Sequence, residues 1–216
     1  MARIRKQPRQ AMARTLTLQS SGSRLALFLL PILGVSLAAW SWWVWAAGSL
    51  VHSDAVQPAD VVLIENFDPN YLLFERAADL LRRGLSQRAI VPVQGGGQVA
   101  NGMVELMSQV ARLEKVEKIP IREEEPITLN TVVDIKAYLV AHKVESVLIV
   151  TDGFRSQRAF LVYDKILTPA RIRFTIVPVF GLKNVQNWRK SWHGIQDVTL
   201  EFAKLWYYRL IVLPGL

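Results

Sequence analysis

The chain has no cysteine, which excludes disulfides, thiolate metal sites and a cysteine nucleophile while leaving the compartment open. Histidine is nearly as scarce. Only His52, His142 and His193 occur, none in an HExxH or other paired spacing, so no metal site is expected. Acidic residues are missing from the first 24 positions, which hold Arg3, Arg5, Lys6, Arg9, Arg14 and Arg24. Charge of either sign is missing from residues 25–51. The formal charge of +8 therefore splits unevenly: the tail supplies +6, and the other 192 residues carry 20 Lys/Arg against 18 Asp/Glu. A pI near 10 belongs to the tail, so no nucleic-acid partner is expected, because such binding needs a basic face on the folded domain. Charged residues at 20% and hydrophobic residues at 51% exclude a disordered chain. A length of 216 residues leaves room for one ordinary domain and an appendage.

The uncharged segment reads LALFLLPILGVSLAAWSWWVWAAGSLV from Leu25 to Val51, 27 residues in all. As a helix it would be roughly 40 Å long, more than the ~30 Å hydrocarbon core of a bilayer. Pro31 is tolerable there, and Trp40, Trp42, Trp43 and Trp45 crowd the far end, where an aromatic belt sits. A cleaved signal peptide is the alternative, with Ala46, Ala47 and Gly48 as a cleavage site, although its apolar core usually runs about 7–15 residues. A buried core helix rarely stays apolar on every face for this length. Six positive charges before the segment, and Asp54 and Asp60 after it, orient it by the positive-inside rule. The expectation is a basic cytoplasmic tail (1–24), a transmembrane helix in the lipid bilayer (25–51), a linker (52–59) and an extracytoplasmic domain (60–216).

Within that domain, strand and helix signals alternate. Segments 60–64, 89–93, 118–122, 146–151 and 173–179 read as strands; Pro92 suggests an edge position or a strand end for the second, and Pro120 weakens the third. Helical patterns fall at 71–84, 101–113, 128–142, 155–167 and 195–212, with Thr128 as a helix cap. Short apolar strands alternating with helices predict an α/β fold: a Rossmann-like, mostly parallel sheet with helices on both faces.

Ligands of such sheets bind outside the carboxyl ends of the strands. Four successive strands there end in chemistry: Glu65 after the first, Gly95, Gly96 and Gly97 after the second, Glu125 with Thr128, Asn130 and Thr131 after the third, and Thr151, Asp152, Arg155 and Arg158 after the fourth. The glycines read either as a flexible turn or as a phosphate cradle. The run Glu123–Glu125 reads either as a solvated charge run or as a source of acid/base groups. Thr128, Asn130 and Thr131 read either as caps or as ligand-positioning groups. Arg155 and Arg158, three apart in a first helical turn, can grip an anion together or pair with Asp152. Arginine works against the helix dipole there, which favours a functional reason for its presence. Glu65, Glu125 and Asp152 are the candidates for acid/base work. Ser156 lacks a GxSxG elbow and is not expected to be a nucleophile.

Several segments occur in an order that resembles the SanA/ElyC/YdcF-like family over about residues 59–212. They are Pro58 to Leu63, the helix Phe74 to Gly84, Glu125 with Thr128, Asn130 and Thr131, and Thr151 to Ala159. Many members carry a single N-terminal membrane helix. Arg155 stands where the family has histidine, Glu65 to Phe67 replace its glycines after the first strand, and Val133 replaces an acid, with Asp134 next to it. An arginine cannot replace a proton-transferring histidine, yet it can bind an anion. The resemblance implies a Rossmann-like fold and a role in bacterial cell-envelope biogenesis at the cytoplasmic membrane. The expected ligand is an anionic lipid-carrier or polysaccharide intermediate, and no cofactor is identified. Two other readings stand: a non-enzymatic scaffold that meets other envelope proteins through the loop around Trp188 and Trp192, and an S-adenosylmethionine- or nucleotide-using transferase, which rests on sheet type alone.

Overall fold

A computed structural model describes the backbone of residues 21–65, 70–95, 98–122 and 124–216, and the side chains of 29–42, 45–65, 70–93, 95, 100–122 and 124–216. The elements in chain order are α1 (Ser21–Ser49), β1 (Val61–Ile64), α2 (Tyr71–Arg82), β2 (Ala89–Gln94), α3 (Gln98–Val110) and β3 (Val116–Ile121). They continue with α4 (Ile127–Ala141), β4 (Ser146–Asp152), α5 (Ser156–Leu167), β5 (Arg173–Val179) and α6 (Trp192–Tyr207). The expected alternation is present throughout.

The five strands form one sheet in the order β3-β2-β1-β4-β5, and every pairing is parallel. Side chains alternate between its faces, as a period of two requires. Val61, Leu63, Val147, Ile149 and Ile176 pack with Val132, Ile135 and Leu139 of α4 and Val162, Tyr163 and Leu167 of α5. Val62, Ile64, Val91, Leu148 and Val150 pack on the other face with Leu73, Phe74, Ala77 and Leu80 of α2 and Val104 of α3. β1 and β4 are buried on both faces, which explains their unbroken apolar runs, whereas the edge strand β3 keeps Glu117 exposed.

Two local expectations are corrected. Pro92 is not on an edge strand: β2 lies between β3 and β1, with Pro92 opposite Ile119. Proline lacks only its own N–H donor, and its carbonyl stays available to a neighbour. Thr128 does not cap α4, which starts at Ile127 after Pro126; its hydroxyl is used elsewhere.

The chain divides between Trp42 and Trp43, and the unit from Trp43 onward holds the sheet. Ala46, Ala47 and Leu50 are buried in that unit, and the Leu50 carbonyl accepts from the Gln157 N–H at 3.0 Å. The segment 52–59 is bound rather than free. His52 stacks on Phe160 at 3.8 Å, and Asp54 exchanges backbone and side-chain hydrogen bonds with Ile176. Before the division, residues 29–41 are exposed along their whole length. Among the described residues no helix is long and apolar enough to cross a membrane.

Candidate functional site

The chain winds outward from β1 through β2 to β3, then returns to place β4 and β5 on the other side of β1. Winding therefore reverses between β1 and β4, which is where open parallel sheets form a ligand crevice at their carboxyl ends. A cleft of about 510 Å³ lies there, with Glu65 after β1 and Asp152 at the end of β4 among its lining residues. The turn after β4 adds Phe154 and Arg155, α2 adds Leu72 and Leu73, and the chain after β5 adds Lys183. The fourth wall is α6, through Asp197, Leu200, Glu201 and Lys204.

Strand parity explains how a carboxyl comes to sit in the core. Glu65 lies two residues beyond Leu63, and Thr151 two beyond Ile149, so both continue the rows that face α4 and α5. The pairing of Ile64 with Val150 places them side by side, and the Glu65 N–H donates to the Val150 carbonyl at 2.9 Å. Glu65 is only 3% exposed. Its Oε1, the Thr151 and Thr131 hydroxyls and the Tyr163 hydroxyl are all buried without a hydrogen-bond partner of good geometry. Burial raises the Glu65 carboxyl above the usual range; nearby Thr151, Arg158, Arg155 and Tyr163 offset only part of that rise. Burial, and then the neighbouring Glu65, push the Tyr163 hydroxyl well above its ordinary value.

Asp152 behaves similarly and less extremely. Its carboxylate accepts from the Phe154 N–H at 3.1 Å, yet burial, aided by the charges of Glu201 and Asp197, raises it to about 6. Two carboxyls near one cleft thus resist ionisation because they are buried.

The arginines do not form the expected pair of clamps. Arg158 is buried: Nε and Nη2 donate to Glu201 Oε2 at 3.2 and 2.8 Å, and Nη1 donates to Thr128 Oγ1 at 2.6 Å. Its guanidinium also lies over the Tyr208 ring, 5.5 Å from the centroid. Arg155 lines the cleft, with Nε 3.6 Å from the other Glu201 oxygen. The anion bracketed by the two arginines is therefore Glu201. Burial alone would raise that carboxyl, but Arg158, Arg155 and Lys204 more than offset the effect and hold it below its usual range. Lys183 pairs with Asp197 across the cleft wall.

The other expected residues lie apart from this cleft. Gly95 ends β2 at φ 57°, while Gly96 and Gly97 are outside the described residues. Glu125 is exposed and accepts from the Ile127 N–H at 3.2 Å, as a helix-start acceptor does. Asn130 donates to the Glu124 carbonyl at 3.0 Å. Asp134 takes the Arg122 guanidinium at 2.7 Å on the surface of β3 and α4. Among the described residues, Gly95, Glu125, Thr128, Asn130 and Thr131 do not line the cleft. Glu65, Asp152 and Arg155 do.

Sequence reasoning passed over Glu201, Lys204 and Asp197, because the last helix reads as a core helix from Phe202 onward. A signal was present. Positions 197, 201 and 204 are spaced four and three apart, which sets them on one face of a helix.

Comparison with known proteins finds no family model and no curated sequence that matches the chain.

Proposed function

We propose that the chain is a single-pass protein of the bacterial cytoplasmic membrane, with its basic tail in the cytoplasm and its α/β domain outside. In this reading the domain is related to SanA-like envelope-biogenesis proteins and holds an anionic, phosphorylated lipid-carrier or polysaccharide intermediate in the cleft between the ends of β1 and β4. The observation that carries the anion reading is the convergence of Arg155, Lys183 and Lys204 on that cleft from three separate segments. A carboxylate orients each of them. A guanidinium with five donors, or an ammonium with three, can serve a carboxylate and a phosphate oxygen together. Burial raises the Glu65 carboxyl above its usual range, which lessens its repulsion of an anion, and Asp152 loses its charge below about 6.

Support for the anchor comes from the uncharged run, its basic flank and the exposure of Leu29, Leu30, Ile32, Leu33, Val35 and Leu37. An apolar surface of that extent calls for a non-aqueous surrounding. Residues 46–50, which the sequence reading assigns to the membrane, include Ala46, Ala47 and Leu50 buried in the domain. Without residues 46–51 the uncharged run is 21 residues, roughly 32 Å if helical, close to the ~30 Å of the hydrocarbon core.

Alkaline-phosphatase fusions at Asp60 and Leu216 test the topology: activity at both is expected, and inactivity at both overturns it. Thermal shifts with inorganic phosphate and an undecaprenyl-phosphate analogue test the ligand. Stabilisation that grows as pH falls through 6 is expected, and it should be lost in the triple variant Arg155→Ala/Lys183→Ala/Lys204→Ala. An unchanged response in that variant overturns the anion reading.

The scaffold reading retains one observation in its favour. Leu182 and Trp192, at the two ends of the connection before α6, are 96% and 72% exposed, as contact residues of a partner-binding loop would be.

A further inference from the structure

We infer that the cleft contains a second subsite built on Glu65, which takes a hydroxyl group of the same ligand, so that the ligand is a sugar phosphate or comparable polyol phosphate. The inference rests on the anion reading above and adds what lies beside the anion.

Glu65 lines the cleft and is nevertheless 3% exposed, with Oε1 lacking a partner. The Thr151 and Tyr163 hydroxyls lie behind it, buried and outside the cleft lining, and their interaction with the Glu65 carboxyl offsets part of the effect of its burial. Buried polar atoms left unpaired are costly and uncommon, and one on the wall of a cleft marks a place prepared for something polar. Water or a ligand group could satisfy it. Its chemistry narrows the choice.

Burial favours the protonated form of Glu65, which both donates and accepts, as hydroxyls do. Such groups complement another hydroxyl, which also does both. They offer a full negative charge no counter-ion, whereas Arg155, Lys183 and Lys204 on the same cleft do. The apolar side chains of Leu73, Phe154 and Leu200 complete the lining. They suit the C–H face of a ring. A cleft of about 510 Å³ falls within the ~300–1,000 Å³ typical of small-ligand sites. An anion beside ring hydroxyls and an apolar ring face is the description of a sugar phosphate.

The test is calorimetric titration of the full chain in detergent micelles with glucose 1-phosphate and with inorganic phosphate. Glucose 1-phosphate is expected to bind more tightly than phosphate. Glu65→Leu should weaken the sugar phosphate roughly tenfold, the loss of a buried hydrogen-bonding group, and leave phosphate unchanged. Glu65→Gln, whose amide still donates and accepts, should stay within about threefold of wild type. If glucose 1-phosphate binds no better than phosphate, or binds Glu65→Leu as it binds wild type, the subsite is overturned while the anion reading stands. If neither compound binds, both fall. Infrared difference spectra between wild type and Glu65→Gln cover the case in which Glu65→Leu does not fold. A protonated-carboxyl band that shifts on addition of glucose 1-phosphate is expected, and a band that does not shift overturns the subsite.

Discussion

Arg158 Nη2 donates to Glu201 Oε2 at 2.8 Å, between side chains only 8% and 7% exposed and 43 positions apart in sequence. The pair ties α5 to α6, and the Thr128 hydroxyl brings in α4. Removing one member leaves the other as a buried charge, which typically costs about 3–5 kcal/mol. Replacing both with apolar residues of similar size removes the desolvation cost together with the attraction. Glu201→Ala is therefore expected to lose about 3 kcal/mol in denaturant unfolding, and Arg158→Leu/Glu201→Leu to recover most of it. A double variant as unstable as the single one would show that the pair does more than balance its own charges.

This pair also marks where the sequence stopped being legible. The strands could be read because most are apolar runs bounded by turn residues. Glu65, Asp152 and Arg155 could be placed at one end of the sheet from their positions just after two strands. Their companions could not. The cleft's other wall comes from a helix that begins at residue 192. No local pattern states which face of a last helix returns to which strand end. Gly95, Glu125 and Asn130 sit at carboxyl ends as expected, but on the β2–β3 side of the switch. Deciding that required the strand order. Thr128 failed as a cap because Pro126 already sets the helix start, which left its hydroxyl to accept from Arg158.

Asp152 gives stability a specific pH dependence. Its carboxyl ionises near 3.8 when unfolded and near 6 when folded, because burial disfavours the charge. The protonated form is thus favoured by folding. The stabilisation is complete below about 3.8 and is lost as pH rises to about 6, by up to about 3 kcal/mol. Glu65 acts in the same direction and Glu201 in the opposite one, so the difference between two curves is the informative quantity. Asp152→Asn keeps an oxygen for the Phe154 N–H and cannot ionise. Wild-type stability minus that of Asp152→Asn should fall between pH 4 and 6 and be flat above. A flat difference throughout would place Asp152 in water.

Gly153 is required by proximity. A Cβ at this position would collide with the ring of Phe180, which packs edge-on to Phe154 at 5.6 Å. A ring held against another ring has little room to withdraw, and overpacking of this kind costs about 1–3 kcal/mol. Phe154 lines the cleft, so the displacement should reach the ligand. Gly153→Ala is expected to lower the denaturation midpoint and to weaken phosphate binding together. The companion change Phe180→Leu, which shortens the obstructing side chain, should restore part of both when added to Gly153→Ala. No recovery in the double variant would point to a cause other than this contact.

The loop before α6 and the first residue of α6 each carry a tryptophan, with opposite roles. Trp188 is 1% exposed, although it lies in a polar stretch with no strand or helix period to signal burial. Gly194 admits it: a Cβ there would collide with the Trp188 backbone, so the start of α6 and the short turn Trp188–Lys190 pack with nothing between them. Trp192 is 72% exposed. Trp188→Ala should therefore cost about 3–5 kcal/mol through the cavity it leaves, whereas Trp192→Ala should change stability by no more than about 0.5 kcal/mol. That separation makes Trp192 the useful probe of the scaffold reading, because its loss spares the fold. Crosslinking from position 192 in intact cells, with Trp192→Ala removing both an envelope partner and the deletion rescue, would favour the scaffold. Full rescue by Trp192→Ala, with rescue lost in Arg155→Ala/Lys183→Ala/Lys204→Ala, would assign the function to the cleft.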